Sequence, residues 1–319
     1  MAFRDRQNLK AVAQQRLDAA AFDPRKLMLV YVGVSSAVML LVTAMNFILD
    51  QQIAGTGGLG GIGTRAMLET AIQALQLGAS LVMPFWTMGY LACVLKIIRG
   101  QRFGLPDLLT GFRNFGPALR LTLLYSVYFF ALAFLCFYPS VLLYSVTPLA
   151  APLMEILEPL AQSGTELVLD EATLAAATEA MTPMVAVYIV VFLAVAAPYF
   201  YRYRLAWYCL LDDPQAGALA ALRRSTVLMR GKRMDLFKLD VSFGWFYVLD
   251  GLALALCYGD VILDMLGISL PISADVSYFL FYVLYLAAQL ALYVWARNRV
   301  ECTYAAGYDA LCREAPQVQ

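Results

Sequence analysis

The chain contains no histidine among its 319 residues, which removes the side chain most often used as a general base and metal ligand near neutral pH. Charge is sparse. Lys, Arg, Asp and Glu make up 14% of the sequence, and 23 bases balance 23 acids to a net charge of zero. No overall field therefore favours nucleic acid or another polyanion. The six cysteines, Cys93, Cys136, Cys209, Cys257, Cys302 and Cys312, form no Cys-x-x-Cys pair. Most sit in apolar or aromatic stretches, where a thiol behaves as a small hydrophobe. Neither a disulfide framework nor a zinc site is expected, and no cofactor. No cleavable signal peptide is expected either, because 26 rather polar residues precede an apolar run too long for an h-region.

What is abundant is apolar surface. Hydrophobic residues make up 61% of the chain, with a mean hydropathy of +0.68, against roughly 45–50% apolar residues in soluble domains. The excess falls in runs of about 20 residues, enough to cross a hydrocarbon core of roughly 30 Å as helix. The pattern predicts an all-α polytopic membrane bundle, a single integral membrane domain over 1–319. Six spans are expected near 27–49, 64–98, 117–147, 183–201, 236–258 and 276–296.

Between the spans the composition changes. Residues 1–22 include an amphipathic helix with Leu9, Val12, Ala13 and Leu17 at helical spacing, suited to lie on a membrane surface. Asp23-Pro24 and Asp213-Pro214 each read as an N-cap followed by a first-turn proline. Residues 51–63 carry six glycines but no Gly-Lys-Ser/Thr ending, so they predict a flexible linker rather than a phosphate loop. Leu105–Leu109 reads as a re-entry segment. Residues 148–182 form an acidic loop with one or two short helices outside the membrane. Residues 212–233 form a basic surface helix stopped by Gly231, with Ala218, Leu222, Ser225 and Met229 on one face.

Lys and Arg are distributed unevenly. Segments 1–26, 96–120, 202–238 and 297–319 hold 22 of the 23, while 148–182 and 259–275 hold none. By the positive-inside rule both termini and both basic loops belong in the cytoplasm of a bacterial plasma membrane.

Few residues suggest chemistry. Asp250 lies within the fifth span, roughly 12 Å from its outer end at 1.5 Å per residue. A carboxylate at such depth costs about 2.5–3.5 kcal/mol on insertion scales and normally faces a bundle interior. Tyr282 and Tyr285 are expected at similar depth. This is either a proton or cation site, or a protonated, hydrogen-bonded acid. Arg202 and Arg204 with Asp240 predict an ion pair fixing the fourth span to the fifth. Arg223, Arg224, Arg230, Lys232 and Arg233 form a basic surface for anionic lipid or a membrane-protein partner, or serve only to set topology. The aromatics near span ends fit interfacial belts.

The segment DDPQAGALAALRRSTVLMRGKRMDLFKLDVSFGW, from Asp212 to Trp245, resembles the signature of the domain of unknown function 975 family of bacterial integral membrane proteins. The matching features are Asp212, Pro214, Ser225, Met229, Gly231-Lys232, Lys238-Leu239-Asp240, Ser242-Phe243 and Trp245. The departures are Asp240 where the family pattern carries Glu, and Gly244-Trp245 following Phe243 directly. LLTGFRNFG, ending at Gly116, is similar to an earlier loop motif of that family. The resemblance implies a membrane fold and no activity. Three functions stay open: a non-enzymatic accessory or scaffold module binding lipid or a membrane partner, a small transporter or channel using Asp250, and a lipid-modifying enzyme built on an acid pair such as Asp212-Asp213.

Overall fold

In the computed structural model the described residues are 3, 5–55, 59–156, 171–268 and 270–314, and every regular element among them is helical. The helices are α1 (Arg6–Asp18), α2 (Pro24–Gly55), α3 (Leu59–Ile98), a 3₁₀ turn (Leu105–Leu109), α4 (Thr110–Arg113), α5 (Phe115–Ser145), α6 (described over 151–156), α7 (Glu171–Tyr203), α8 (Ala206–Asp212), a 3₁₀ turn (Pro214–Ala216), α9 (Gly217–Leu228), α10 (Arg233–Val241), α11 (Gly244–Cys257), α12 (Gly259–Met265), α13 (Ala274–Leu292), a π-helical turn (Tyr293–Arg297) and α14 (Asn298–Glu314).

Among the described residues five helical stretches are long and apolar enough to cross a membrane: Pro24–Ile48, Thr70–Ile98, Phe115–Ser145, Ala176–Asp212 and Val276–Glu314. The number becomes six if α10 and α11 count as one broken span. The fold is thus an all-α polytopic bundle, and the continuous fifth span expected over 236–258 is replaced by two helices bent by 63°. The cause is local. Lys10 Nζ donates to Ser242 O at 2.9 Å, and Arg6 donates at 3.2 Å to Lys238 O, which also accepts from Ser242 N–H, so the last carbonyls of α10 are tied to α1. Phe243 is buried under the Lys10 ammonium, and Gly244 starts α11.

Two other boundaries move. Helix reaches Gly55 and resumes at Leu59, so only 56–58 of the expected glycine linker lie outside described helix. The second half of the acidic segment is not a separate short helix: from Glu171 onward it is the start of α7. Glu158, Glu166 and Asp170 lie outside the described residues.

The helices divide into two compact units, Met1–Leu119 with Leu205–Gln319, and Arg120–Arg204. In the smaller unit α5 and α7 run antiparallel, held by tyrosines. Tyr125 donates to Tyr203 O, Tyr188 to Ala133 O and Tyr144 to Ala180 O. Pro139, Pro183 and Pro198 lie inside these helices.

The larger unit is organised around α14, where most residues from Asn298 to Leu311 are buried. Its small residues Ala305, Ala306 and Gly307 admit close neighbours, and a Cβ on Gly307 would meet the Phe3 ring at 2.8 Å. α1 buries Leu9 and Ala13, packing on α14 and α3, so protein covers its apolar face. Backbone meets backbone where α3 passes the 105–113 segment. A Cβ on Gly89 would overlap the Leu108 carbonyl, and one on Gly111 the Phe85 carbonyl.

Gly89→Ala is therefore expected to cost about 1–3 kcal/mol or more through overpacking against rigid backbone. Gly78→Ala, whose new methyl meets nothing within 4 Å, should be neutral or stabilising by up to about 1 kcal/mol. Thermal unfolding in detergent checks both, and equal midpoints for the two variants would refute the contact argument.

Candidate functional site

Three polar clusters lie around α14. In the first, the Arg99 guanidinium at the end of α3 is shared by two carboxylates. Nη1 and Nη2 donate to the two Asp212 oxygens at 2.7 and 3.1 Å, and Nη2 donates to Asp309 Oδ1 at 2.9 Å. Tyr308 OH adds a hydrogen bond to Asp212 Oδ2 at 2.6 Å. The Asp212 hydrogen bond, reinforced by Asp309, raises the Arg99 pKa against the opposing effect of burial. Asp213 meanwhile caps the next turn by accepting from Ala216 N at 3.1 Å. Both acids of the Asp212-Asp213 pair are thus engaged in holding helix ends.

In the second cluster, Tyr304 OH donates to Asp240, and Tyr247 and Tyr304 share a 2.8 Å hydrogen bond. Beside it Lys10 lies 4.0 Å from the Phe243 ring centroid. Burial first, then the charge of Arg6, lowers the Lys10 pKa. In the third, Asn298 accepts from Tyr90 OH at 3.0 Å and donates to Pro24 O at 2.7 Å, tying α14 to α3 and to the start of α2.

The signature segment is legible in these terms. Ser225 and Met229 are fully buried beneath α9, Gly231 takes φ +73°, and Asp212 and Asp240 take partners from α14. Pro214 opens a 3₁₀ turn, and Trp245 stacks edge-on against Trp295 at 5.3 Å.

Asp250 lies in the middle of α11, and the group that reaches it is Tyr293, whose OH donates to Oδ2 at 3.4 Å. Gln289 links onward, donating to Tyr293 OH at 3.5 Å and to Tyr285 OH at 2.9 Å. Tyr285 is therefore three hydrogen bonds removed from the acid, and Tyr282 meets Tyr285 only by ring contact at 5.9 Å. Sequence reasoning missed Tyr293 because it matched the outer end of the fifth span with residue 276, whereas Gly259 packs against the Phe281 ring and Asp250 faces Tyr293. Asp250 Oδ1 and Arg297 Nε are buried without a hydrogen-bond partner among the described residues. The Arg297 guanidinium lies 4.6 Å from the Tyr293 ring centroid and pairs with Glu301 at 3.3 Å.

The ion pair expected between Asp240 and Arg202 or Arg204 draws on both compact units. Within their own unit the guanidiniums of Arg202 and Arg204 lie 5.3 and 5.1 Å from the Tyr203 and Phe200 ring centroids. Of the basic set, Arg224 sits 3.9 Å from Cys312 Sγ and Lys232 pairs with Glu314 at 2.9 Å. Arg223, Arg230 and Arg233 are exposed. Among the described residues no group of three His, Cys, Asp or Glu could hold a metal ion, and the six cysteines are free thiols.

A titration prediction follows from the loop after α3. Lys96 Nζ lies 2.6 Å from Asp107 Oδ1, and Gly104 N–H donates to Oδ2 at 3.0 Å. Burial pushes the Asp107 pKa up, but Lys96 and the Gly104 amide together outweigh it and hold the carboxyl below its ordinary value. A depressed folded pKa stabilises fully above the unfolded value of about 3.9 and loses that stabilisation as pH falls through the folded value. The stability advantage over Asp107→Asn should be constant from about pH 5 to pH 8 and shrink below about pH 4. Unfolding midpoints across that range measure it, and a gap independent of pH would count against the pair.

No curated protein matches the chain, and no solved structure does. One family profile matches residues 1–295, described as protein of unknown function. The match stops short of α14, whose Tyr304 and Tyr308 partner Asp240 and Asp212 inside the matched range. With more than nine-tenths of its length so matched, this multi-pass membrane protein belongs to the DUF975 family.

Proposed function

We propose that the chain is a non-enzymatic module of the bacterial plasma membrane that holds anionic lipid headgroups on the outer face of α9 and α10. The observation that carries this reading is the makeup of that face. Leu219, Val227, Met234, Phe237 and Val241 are exposed there, between 45% and 64%. Interleaved with them are the exposed Arg223, Arg230, Arg233 and Lys238. A helix facing water would carry polar residues at the first set of positions. Large apolar side chains beside arginines suit the boundary between acyl chains and phosphates. The opposite sides of α9 and α10 are buried through Ala218, Leu222, Ser225, Met229, Leu236 and Leu239, so the outward face is fixed by packing rather than adaptable.

The charge distribution supports the same reading. Both termini and the basic segments lie on the cytoplasmic side, where anionic lipid draws each nearby Lys or Arg by roughly 1 kcal/mol. Arg223→Gln, Arg230→Gln and Arg233→Gln combined should lower the ratio of phosphatidylglycerol to phosphatidylethanolamine retained by the purified protein by on the order of tenfold. Mass spectrometry of protein and lipid together reads the ratio. An unchanged ratio rejects the lipid reading, and a stoichiometric protein that leaves with the arginines identifies the face as a protein-docking surface instead.

A second reading, transport, is favoured by the unpartnered Asp250 oxygen, since an ionisable group inside a spanning helix often marks a pathway. Under it, Asp250→Asn abolishes ion or proton flux in proteoliposomes while folding is retained. Flux equal to that of the parent protein, or none in either, removes it.

A further inference from the structure

A cavity of about 580 Å³ lies within the larger unit between α2, α3 and α13. Three spanning helices each contribute a pair of polar side chains to it: Thr43 and Asn46, Gln76 and Ser80, Tyr278 and Tyr282. The pairs are spaced three or four residues apart, so each marks one helix face. The remaining lining residues are apolar and none is charged. From these features we infer that the cavity is a binding site for the uncharged, hydroxyl-bearing headgroup of a membrane lipid, of the diacylglycerol or neutral glycolipid class.

The chemistry of the lining selects that class. With no Lys or Arg on its walls the cavity offers nothing to neutralise a phosphate, which disfavours anionic and zwitterionic phospholipid headgroups alike. It offers hydrogen bonds of both kinds. Asn46 donates one N–H to Val42 O at 3.1 Å, which leaves its second N–H and its carbonyl. Ser80 donates to Leu77 O at 2.8 Å and keeps its acceptor lone pairs. Gln76 is exposed to the cavity and adds an amide. A hydroxyl, which both donates and accepts, matches such a lining.

Depth points to a lipid-borne group. Tyr278 lies four residues after the start of α13 at Ala274, while α2 continues past Asn46 to Gly55 and α3 begins before Gln76 at Leu59. Measured on α13, Tyr278 is roughly 6 Å from the helix end at 1.5 Å per residue, where headgroups and glycerol meet the acyl chains. The fold does not depend on these side chains for its core, since Gln76 and Ser80 are exposed. The cavity size falls in the range of roughly 300–1,000 Å³ usual for small-ligand sites. The inference uses no residue of α9 or α10, so it stands or falls independently of the anionic-lipid reading.

The test uses the full chain in nanodiscs of zwitterionic lipid with three diazirine-bearing probes: diacylglycerol, monoglucosyl diacylglycerol and phosphatidylglycerol. Photolabel from one of the neutral probes should concentrate on peptides containing residues 39–47, 76–80 and 278–282. It should fall at least fivefold in Asn46→Leu and in Gln76→Leu, while both variants unfold at the parent temperature or above it. Competition separates the sources. Excess unlabelled neutral lipid should remove the label. Removal by free glucose or glycerol instead keeps the site but assigns it to a soluble polyol and overturns the lipid source. Equal labelling of parent and variants, labelling spread along the lipid-facing side of α5, or preference for the phosphatidylglycerol probe overturns the proposal.

Discussion

One guanidinium determines how the larger unit closes. Arg99 directly follows α3, and its two acceptors come from positions 212 and 309, at the end of α8 and on α14. A cation bound by two carboxylates and braced by a phenol fixes the mutual position of three helix ends far apart in sequence. Its side chain is about one-third exposed, so water screens the pair and its energy alone is modest. Its importance is geometric. With α3, α8 and α14 brought together, α14 can bury nearly all its length, and α1 can then cover α14. α1 in turn draws the carbonyls of Lys238 and Ser242 toward Arg6 and Lys10 and breaks α10 from α11. Phe3 and Glu314 also meet in this part of the protein, the Phe3 N–H donating to the Glu314 carboxylate at 2.9 Å.

This explains what could and could not be read from the residues. Length and hydropathy located the helices that cross, because a run such as Phe115–Ser145 has few other stable fates. Proline and glycine located turns: Asp213-Pro214 caps a turn through Ala216, and Gly231 takes a left-handed φ that lets α9 stop. The face of Ala218, Leu222, Ser225 and Met229 is buried because 3.6-residue periodicity is a local property.

The break at Ser242-Phe243 was not legible. Its determinants, Arg6 and Lys10, lie more than two hundred residues away, and 236–258 is apolar enough to read as one span. The partners of Asp250 depend on another contact between helices, Gly259 against the Phe281 ring, which a single span does not reveal. Likewise, the sixth span is expected to end near 296, and nothing in the composition after it marks α14 as the most buried helix of the larger unit. Small residues are buried by close approach rather than by transfer free energy, and no average over a window detects that.

The long helix from α13 into α14 connects these observations. Tyr278, Tyr282, Tyr285, Gln289, Tyr293, Arg297 and Glu301 follow one another at intervals of three or four. From Gln289 onward the interval is always four. In a regular α-helix each step of four turns the side chain by about 40° around the axis, so such a row would wind away from its neighbours. The π-helical turn at Tyr293–Arg297 sits at that point and widens the turn by about one residue. It keeps Tyr293, Arg297 and Glu301 in line, with Arg297 over the Tyr293 ring and bonded to Glu301. The same row touches the polar cavity at Tyr278 and Tyr282, and Asp250 through Tyr293. Polar side chains inside spanning helices are costly unless they meet one another. Aligning them on one helix satisfies most of their hydrogen bonds and leaves Asp250 Oδ1 and Arg297 Nε as buried exceptions. Both exceptions flank Tyr293, at the distorted turn, which makes that turn the place where this row and the packing around α14 constrain each other most directly.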